Sequence, residues 1–319
     1  MQETINSAFR AESSKNDAAT RVDSQRTLRH AISCVGVGRH SGMRVGLTMQ
    51  PAPASTGVRF RRSDRPGNAT LAALPARLIV AEHALILADE DGTRIVGIEH
   101  VLAALAMTGI DNALIEVSGP ELPAMDGSAQ PFVFLIECAG VTEQEAARSA
   151  CAAPAGVDLR RAESRVRLMP TDAPRLVTEI AGAAVAGFGP DRHAVALTRD
   201  ALCGELAAAR QPLTVAAFEA ARERGLMRGV SLDNTLLLEP AGPLNAGGLR
   251  FVDEPARHAN LLALGALYLL GGLPAVELHT ERAGHALLAT LLRHCTGAED
   301  VGPIQPSGRK LGQLGGAPG

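Results

Sequence analysis

The sequence contains no tryptophan and a single tyrosine, and aromatic side chains make up only 3% of its 319 residues. Proteins that hold single-stranded nucleic acid stack bases on aromatic side chains and present a basic surface. The formal net charge of -3 at pH 7 gives no sign of such a surface. The composition therefore predicts that nucleic acid is not a partner of this protein.

Paired cysteines are also absent, because the five cysteines are scattered and no two form a C-x-x-C motif. An odd, scattered set is typical of reduced thiols rather than of a disulfide framework or a thiolate metal site. Residues 1–23 are polar and charged without an apolar central run, so we expect no secretory signal there. These features predict a cytoplasmic protein.

No apolar run is long enough to cross a bilayer comfortably. Residues 259–276 carry no charge, but Gly271, Gly272 and Pro274 interrupt the run near its end. A membrane-spanning helix needs about 20 consecutive apolar residues. We therefore expect a buried core helix here and no transmembrane segment in the chain.

The hydrophobic periodicity changes between strand-like and helix-like several times along the chain. Strands are predicted at 26–37, 44–49, 58–62, 77–88, 93–96, 112–117, 166–169, 176–180, 235–238 and 275–280, with a hairpin turn at 89–92. Helices are predicted at 99–107, 130–139, 199–210, 215–224, 255–270 and 284–295.

The two halves of the chain share one layout. Each half has strands, then a helix with a histidine near its start, and then a glycine, a strand and a further helix; the histidines are His100 and His258. We therefore predict an α+β fold of two similar domains, each a β-sheet layered against α-helices, with the site at the domain interface. The predicted limits are a flexible N-terminal extension at 1–24, a first domain at 25–145, a second domain at 155–297 and a flexible tail at 298–319.

Three of the nine histidines lie near the start of predicted helices. They are His100, which follows Glu99, then His258 and His285. Histidine and glutamate side chains that converge from the ends of elements suit a zinc site with an acid/base pair. A packing or capping role explains any single one of these histidines as well, and the spacing alone does not decide between the two interpretations.

Several longer motifs carry a family resemblance. They are Gly36-Val37-Gly38-Arg39-His40-Ser41-Gly42, Pro51-Ala52-Pro53, Thr56-Gly57-Val58, Ile98-Glu99-His100, Gly109-Ile110-Asp111-Asn112, Met125-Asp126-Gly127-Ser128-Ala129, Pro131-Phe132-Val133, Gly248-Leu249-Arg250-Phe251, Arg257-His258 and Ala283-Gly284-His285-Ala286. In this order, from about residue 25 to residue 292, the chain resembles the UDP-3-O-acyl-N-acetylglucosamine deacetylases.

The resemblance implies a fold, a reaction and a set of site residues. The family hydrolyses the acetamide of a UDP-linked acylated glucosamine in lipid A synthesis, with zinc at the interface of two α+β domains. By position, His100 and His258 resemble the two histidine ligands of that zinc. Glu99 resembles the base that activates the metal-bound water, and His285 resembles the acid that protonates the leaving amine.

Two further residues are implied to bind substrate. Arg282 stands where the family has a lysine and would face the substrate diphosphate as a cation. His40 matches a histidine near the family's pocket, where a packing role is the alternative.

The resemblance breaks at four positions around the same pocket. Leu262 stands where the family's third zinc ligand, an aspartate, follows the second histidine by four residues; Ala266, Ala259 and Gln211 replace an aspartate, a lysine and an oxyanion-stabilising threonine. A site with two histidines holds zinc poorly beside a three-ligand site. We therefore expect zinc as the cofactor, bound weakly or not at all.

These departures leave two main functions open, beside a different hydrolysis in the same pocket. One is a zinc-dependent deacetylase that acts on the family's UDP-linked acylated amino sugar. The other is a non-catalytic paralogue that binds the nucleotide sugar, its acyl chain or a regulatory protein. Glu82 or His83 could supply a replacement ligand, although neighbouring strand residues point to opposite faces and at most one would point inward.

Overall fold

The computed structural model of the protein describes residues 23–67, 70–81, 84–148 and 151–297. Glu82 and His83, and almost all of the two predicted terminal extensions, lie outside these described residues.

Within these ranges the chain forms eighteen β-strands and six α-helices. The strands are β1 (Ser24–Leu28), β2 (Ile32–Val37), β3 (Arg44–Pro51), β4 (Val58–Arg62), β5 (Leu71–Ala72), β6 (Leu78–Ala81), β7 (Ala84–Ala88), β8 (Arg94–Val96), β9 (Ala113–Val117), β10 (Val141–Ala147), β11 (Val157–Arg161), β12 (Ser164–Pro170), β13 (Arg175–Glu179), β14 (Arg192–Ala196), β15 (Pro212–Thr214), β16 (Leu236–Glu239), β17 (Gly242–Pro243) and β18 (Val276–Glu281). The helices are α1 (Glu99–Thr108), α2 (Gln130–Ala139), α3 (Arg199–Glu205), α4 (Val215–Glu223), α5 (Glu254–Leu267) and α6 (His285–Thr296).

Two five-stranded sheets have the same topology. Their strand orders are β2-β3-β9-β4-β5 in the first half and β11-β12-β18-β13-β14 in the second. In each sheet the third and fourth strands run parallel and every other neighbouring pair is antiparallel. In each half a long helix precedes the central strand, and another helix follows that strand later in the chain. This correspondence confirms the predicted α+β fold of two similar sheet-and-helix layers.

Helices α1 and α5 pack against each other where the two halves meet. A Cβ atom added to Gly265 of α5 would lie only 2.3 Å from the carbonyl oxygen of Glu99, so the helix backbones approach closely at this point. Both helices contribute to one apolar core that also includes strands from both sheets, with Phe60, Ile115, Leu168 and Leu278 among its buried members. The start of α1 is therefore held against the last turn of α5.

Several strand and helix limits differ from the predictions. The strand expected at 26–37 is divided into β1 and β2. No strand was predicted at Val141–Ala147, which forms β10 and pairs with β1, because backbone pairing does not require the apolar alternation that the sequence lacks here. The helix expected at 199–210 ends at Glu205. The residue limits of the two domains stay predictions.

In the part of the chain that the structure describes, each helix is too short or too polar to cross a membrane.

Candidate active site

A buried carboxylate lies at the start of the first helix. Glu99 is the first residue of α1 and only 3% exposed. Its Oε1 accepts a hydrogen bond of 2.6 Å from the backbone N–H of Leu85 and lies 3.0 Å from Nε2 of His285, the first residue of α6. Burial raises the pKa of Glu99, but the hydrogen bond and charge of His285 outweigh it and hold that pKa below its usual range. Glu99 is therefore an ionised carboxylate at neutral pH, with a potential proton partner beside it.

Two imidazoles face each other next to this pair. His100 of α1 and His258 of α5 bring their Nε2 atoms to 3.1 Å, with the rings tilted by 39°. Burial lowers the pKa of His100 to about 4 and lowers that of His258 well below its usual value. Both rings are therefore neutral at neutral pH, which is the form of histidine that binds a metal.

A small cavity of about 50 Å³ opens beside Glu99 and His100. The first half of the chain provides most of its walls, and the second half adds Gln211 and Asn234. The other lining residues are Arg39, His40, Ala84, Gly97, Glu121, Leu122, Pro123, Ala124, Gly127 and Phe132. The cavity thus lies where the two halves meet.

The sequence of this chain is similar to a defined enzyme family over most of its length. Residues 25–296 match the model of a family described as UDP-3-O-acyl N-acetylglycosamine deacetylase. The chain belongs to this family. The UDP-3-O-acyl-N-acetylglucosamine deacetylases of Idiomarina loihiensis and Chromobacterium violaceum are each 38% identical to it over 84% of this chain and 88% and 89% of their own lengths. That of Alcanivorax borkumensis is 37% identical over 86% of this chain and 91% of its own.

Family membership confirms that the chain is a deacetylase-family protein of lipid A biosynthesis, and the family is zinc-dependent. A catalytic zinc site uses three protein ligands and keeps one position open. Among the described residues, no group of three histidine, cysteine, aspartate or glutamate side chains could hold a metal ion. His100 and His258 supply two nitrogen donors, and one turn after His258 the aliphatic Leu262 packs against the apolar core. The side chains that the structure describes therefore do not fit the family's zinc site.

The loop that carries Gln211 is fixed to the start of α5 by a buried ion pair. Arg210 Nε lies 2.8 Å from Glu254 Oε1, and the side chains are 8% and 0% exposed. The Gln211 N–H donates a hydrogen bond of 2.8 Å to the carbonyl oxygen of Gly127. Gly127 has φ +81°, and a Cβ atom there would lie 2.2 Å from the Asn234 carbonyl oxygen, so only glycine suits this position. The backbone of Gln211 is thus held at the cavity.

The structure separates the two residues that were predicted to bind substrate. His40 lines the cavity, and Glu121 accepts the backbone N–H groups of His40 and Ser41 at 2.7 and 2.9 Å. Arg282 is not among the cavity-lining residues, and its Nη1 lies 2.6 Å from Glu163 Oε2 near the surface. His40 therefore lies at the cavity and Arg282 lies outside it, and substrate contact by either residue stays a prediction.

Sequence reasoning missed two charged residues of the cavity wall. Arg39 belongs to the glycine-rich motif and Glu121 to none of the motifs, and the sequence predicts a site role for neither. Both are largely buried, with 8% and 4% of their surface exposed. The charge of Arg39 between Gly38 and His40 was the only signal in the sequence.

Proposed function

We propose that this protein acts in the cytoplasm on the UDP-linked, O-acylated N-acetylglucosamine of lipid A synthesis and hydrolyses its N-acetyl group. The observation that carries this proposal is the contact between Glu99 and His285 at the edge of the interfacial cavity. The relatives named above as deacetylases of this sugar cover most of the same chain and support the choice of substrate.

The protein's own side chains account for the proton transfers. Ionised Glu99 removes a proton from a water molecule while the oxygen of that water bonds to the acetamide carbonyl carbon. The carbon–nitrogen bond then breaks, and His285 donates a proton to the leaving amine. Because His285 Nε2 lies 3.0 Å from Glu99 Oε1, the proton taken up by Glu99 can return through His285. The products are the free amino sugar and acetate.

Three other residues are proposed to bind and orient the substrate. His40 contacts the sugar at the cavity, and the Gln211 side-chain amide donates to the oxygen that becomes negative during attack. Arg282 meets the diphosphate once it exchanges Glu163 for that ligand, since guanidinium groups bind phosphate oxygens in pairs.

A second candidate is binding of the same nucleotide sugar without turnover. Leu262 favours it, because an aliphatic side chain occupies the helix position from which a carboxylate would complete the metal site. In that case the cavity recognises the sugar, and the protein acts through binding or through a partner protein.

One experiment separates the two candidates. The full-length protein is incubated with UDP-3-O-acyl-N-acetylglucosamine, and released acetate, bound zinc and substrate affinity are measured beside a Glu99→Gln variant. Acetate release by the unmodified chain that is lost in Glu99→Gln supports the deacetylase. Substrate binding with equal, background release from both proteins supports the binding function. Absence of substrate binding contradicts both.

A further inference from the structure

The carboxylate of Glu121 binds two successive backbone N–H groups of the loop that carries His40. The His40 N–H donates to Glu121 Oε1 at 2.7 Å, and the Ser41 N–H donates to Oε2 at 2.9 Å, so each oxygen accepts one of them. Only 4% of Glu121 is exposed. Buried carboxylates need such hydrogen bonds, and bonds to an ionised acceptor are about twice as strong as neutral ones. Glu121 therefore fixes the backbone on both sides of the His40 Cα atom.

The backbone around Glu121 is bonded to the strand that leads into α1. The Val96 N–H donates to the Pro120 carbonyl oxygen at 2.9 Å, and the Leu122 N–H donates to the Val96 carbonyl oxygen at 3.0 Å. Val96 ends β8 shortly before Glu99, the first residue of α1. Glu121 therefore has the same backbone support as Glu99.

The other side of the His40 loop is held by the second half of the chain. The Arg228 N–H donates to the His40 carbonyl oxygen at 3.1 Å, and the Gly229 N–H donates to the Arg39 carbonyl oxygen at 3.0 Å. A Cβ atom at Gly229 would lie 2.2 Å from the Gly38 carbonyl oxygen, so the two backbones leave no room for a side chain. The loop is thus fixed from both halves, through its N–H groups on one side and its carbonyl groups on the other.

These contacts suit Glu121 to holding the loop rather than to transferring protons. Glu121 and His40 both line the cavity, but only Glu121 has its carboxylate oxygens engaged with the loop backbone. A carboxylate that takes up a proton loses part of its capacity to accept hydrogen bonds, so proton transfer through Glu121 would weaken these contacts. His40, by contrast, is partly exposed at the cavity.

We propose that Glu121 is a positioning residue for substrate binding, which sets the His40 side chain against the sugar by fixing the backbone on both sides of it. The proposal rests on the proposed function, in which His40 contacts the sugar at the cavity. A contact that is equally strong in the ground state and in the transition state lowers KM without raising kcat. Loss of the Glu121 carboxylate therefore weakens binding of the nucleotide sugar and leaves the chemical step nearly unchanged.

Binding and turnover of UDP-3-O-acyl-N-acetylglucosamine are measured on the full-length protein. The variants are Glu121→Gln, Glu121→Asp, His40→Ala and the double variant Glu121→Gln/His40→Ala, with the surface variant Glu277→Gln as the matched control. Glutamine keeps one acceptor but turns an NH2 group towards the second N–H. We therefore expect Kd and KM to rise about 10-fold in Glu121→Gln, with kcat within about threefold of the unmodified chain. Glu121→Asp keeps the charge and should have an intermediate Kd, and Glu277→Gln should change neither constant.

The double variant distinguishes positioning of His40 from a general structural role. If Glu121 acts through His40, Glu121→Gln raises Kd no further once His40 is alanine, so the two effects are strongly non-additive. Additive effects overturn the proposal. An unchanged Kd in Glu121→Gln, or a fall in kcat instead of a rise in KM, also overturns it.

Folding and turnover are checked separately. Thermal unfolding shows whether Glu121→Gln folds; if it does not, Glu121→Asp decides, because its shorter side chain must still raise Kd above that of the unmodified chain. An unmodified chain that binds the sugar but releases no acetate sinks the deacetylase, and Kd still decides the role of Glu121. An unmodified chain that does not bind the sugar contradicts the proposed function and this role together.

Discussion

His285 Nε2 lies 3.0 Å from Glu99 Oε1, which joins the first residue of α6 to the first residue of α1. The N-termini of two helices therefore converge on one buried carboxylate, and their partial positive charges add to the stabilisation by the imidazole. The contact also connects the second half of the chain to the first at the cavity. An acid/base pair of this kind needs both halves in place.

Replacing Glu99 by glutamine removes the proposed base while keeping an oxygen that can accept the Leu85 N–H group. We expect kcat for deacetylation to fall about 100- to 10,000-fold with little change in KM, since general-base catalysis supplies that much. Steady-state kinetics on the UDP-linked sugar measures both constants. Glu277→Gln, on the surface of β18, is the matched control and should leave both unchanged. A kcat in Glu99→Gln within a factor of three of the unmodified chain contradicts the role of Glu99.

Much of the fold was predictable because the helices have clear signals in the sequence, namely apolar residues at helical spacing and glycine at the end. Gln130–Ala139 was predicted to the residue, and α1 ends where Gly109 adopts φ 68°, the left-handed conformation that glycine permits. The pairing of β10 with β1 was not predictable, because an alanine- and charge-rich segment resembles a linker until a partner strand is known.

The candidate site also has residues that the sequence predicted and residues that it did not. The motifs pointed to Glu99, His100, His258 and His285, and the structure brings these four together. The state of Arg39 was invisible in the sequence, since burial and the absence of a partner depend on atoms distant along the chain. Arg282 shows the converse, because its match to a family cation did not reveal that Glu163 holds it outside the cavity.

Protein stability should depend on pH through the two facing imidazoles. The pKa of His100 is about 4 in the folded chain, against about 6.5 in the unfolded chain. Between these values the unfolded state binds more protons, so the free energy of unfolding decreases as the pH falls from about 7 to about 4. His258 acts in the same direction because its pKa is also lowered.

Urea denaturation of metal-free protein at pH 7, 6, 5 and 4.5 measures this effect. We expect His100 alone to lower the free energy of unfolding by about 2 kcal/mol. This is less than the full pKa shift implies, because solvent reaches part of the ring and screens its interactions. The His100→Asn variant should have a lower stability at pH 7 but a flatter dependence on pH. The same slope in the variant and the unmodified chain would show that the imidazole is not responsible.

Substituting aspartate for Leu262 should complete the metal site. The new carboxylate lies one turn after His258 on the same face of α5, so it can join His100 and His258 around one zinc ion. We expect stoichiometric zinc binding and, because zinc polarises the carbonyl and acidifies water, an increase in deacetylation of about 100-fold or more. Without metal, the variant should lose about 1–3 kcal/mol, because Leu262 packs against the apolar core.

The control for this substitution is Leu262→Asn, which has nearly the same shape without the charge. Zinc content by elemental analysis and acetate release are compared for the two variants after dialysis. If Leu262→Asp retains no more zinc than Leu262→Asn, the site lacks more than a single ligand. Arg39, whose positive charge lies near the imidazoles, is then the residue to replace next.

The close approach of α1 and α5 at Gly265 gives a test of how the site is held together. A Cβ atom at Gly265 would lie 2.3 Å from the Glu99 carbonyl oxygen, which belongs to helix backbone and cannot rotate away. Gly265→Ala must therefore push the helices apart, at a cost of about 1–3 kcal/mol in the free energy of unfolding. The displacement also moves Glu99 away from His285, so kcat should fall even in the folded fraction.

Gly204→Ala in α3 is the matched control, because a Cβ atom there meets nothing within 4 Å and alanine favours a helix by about 1 kcal/mol. Urea denaturation of both variants should give opposite signs. Equal stabilities would mean that α1 and α5 can separate without cost, and the fixed geometry of the site would then need another cause.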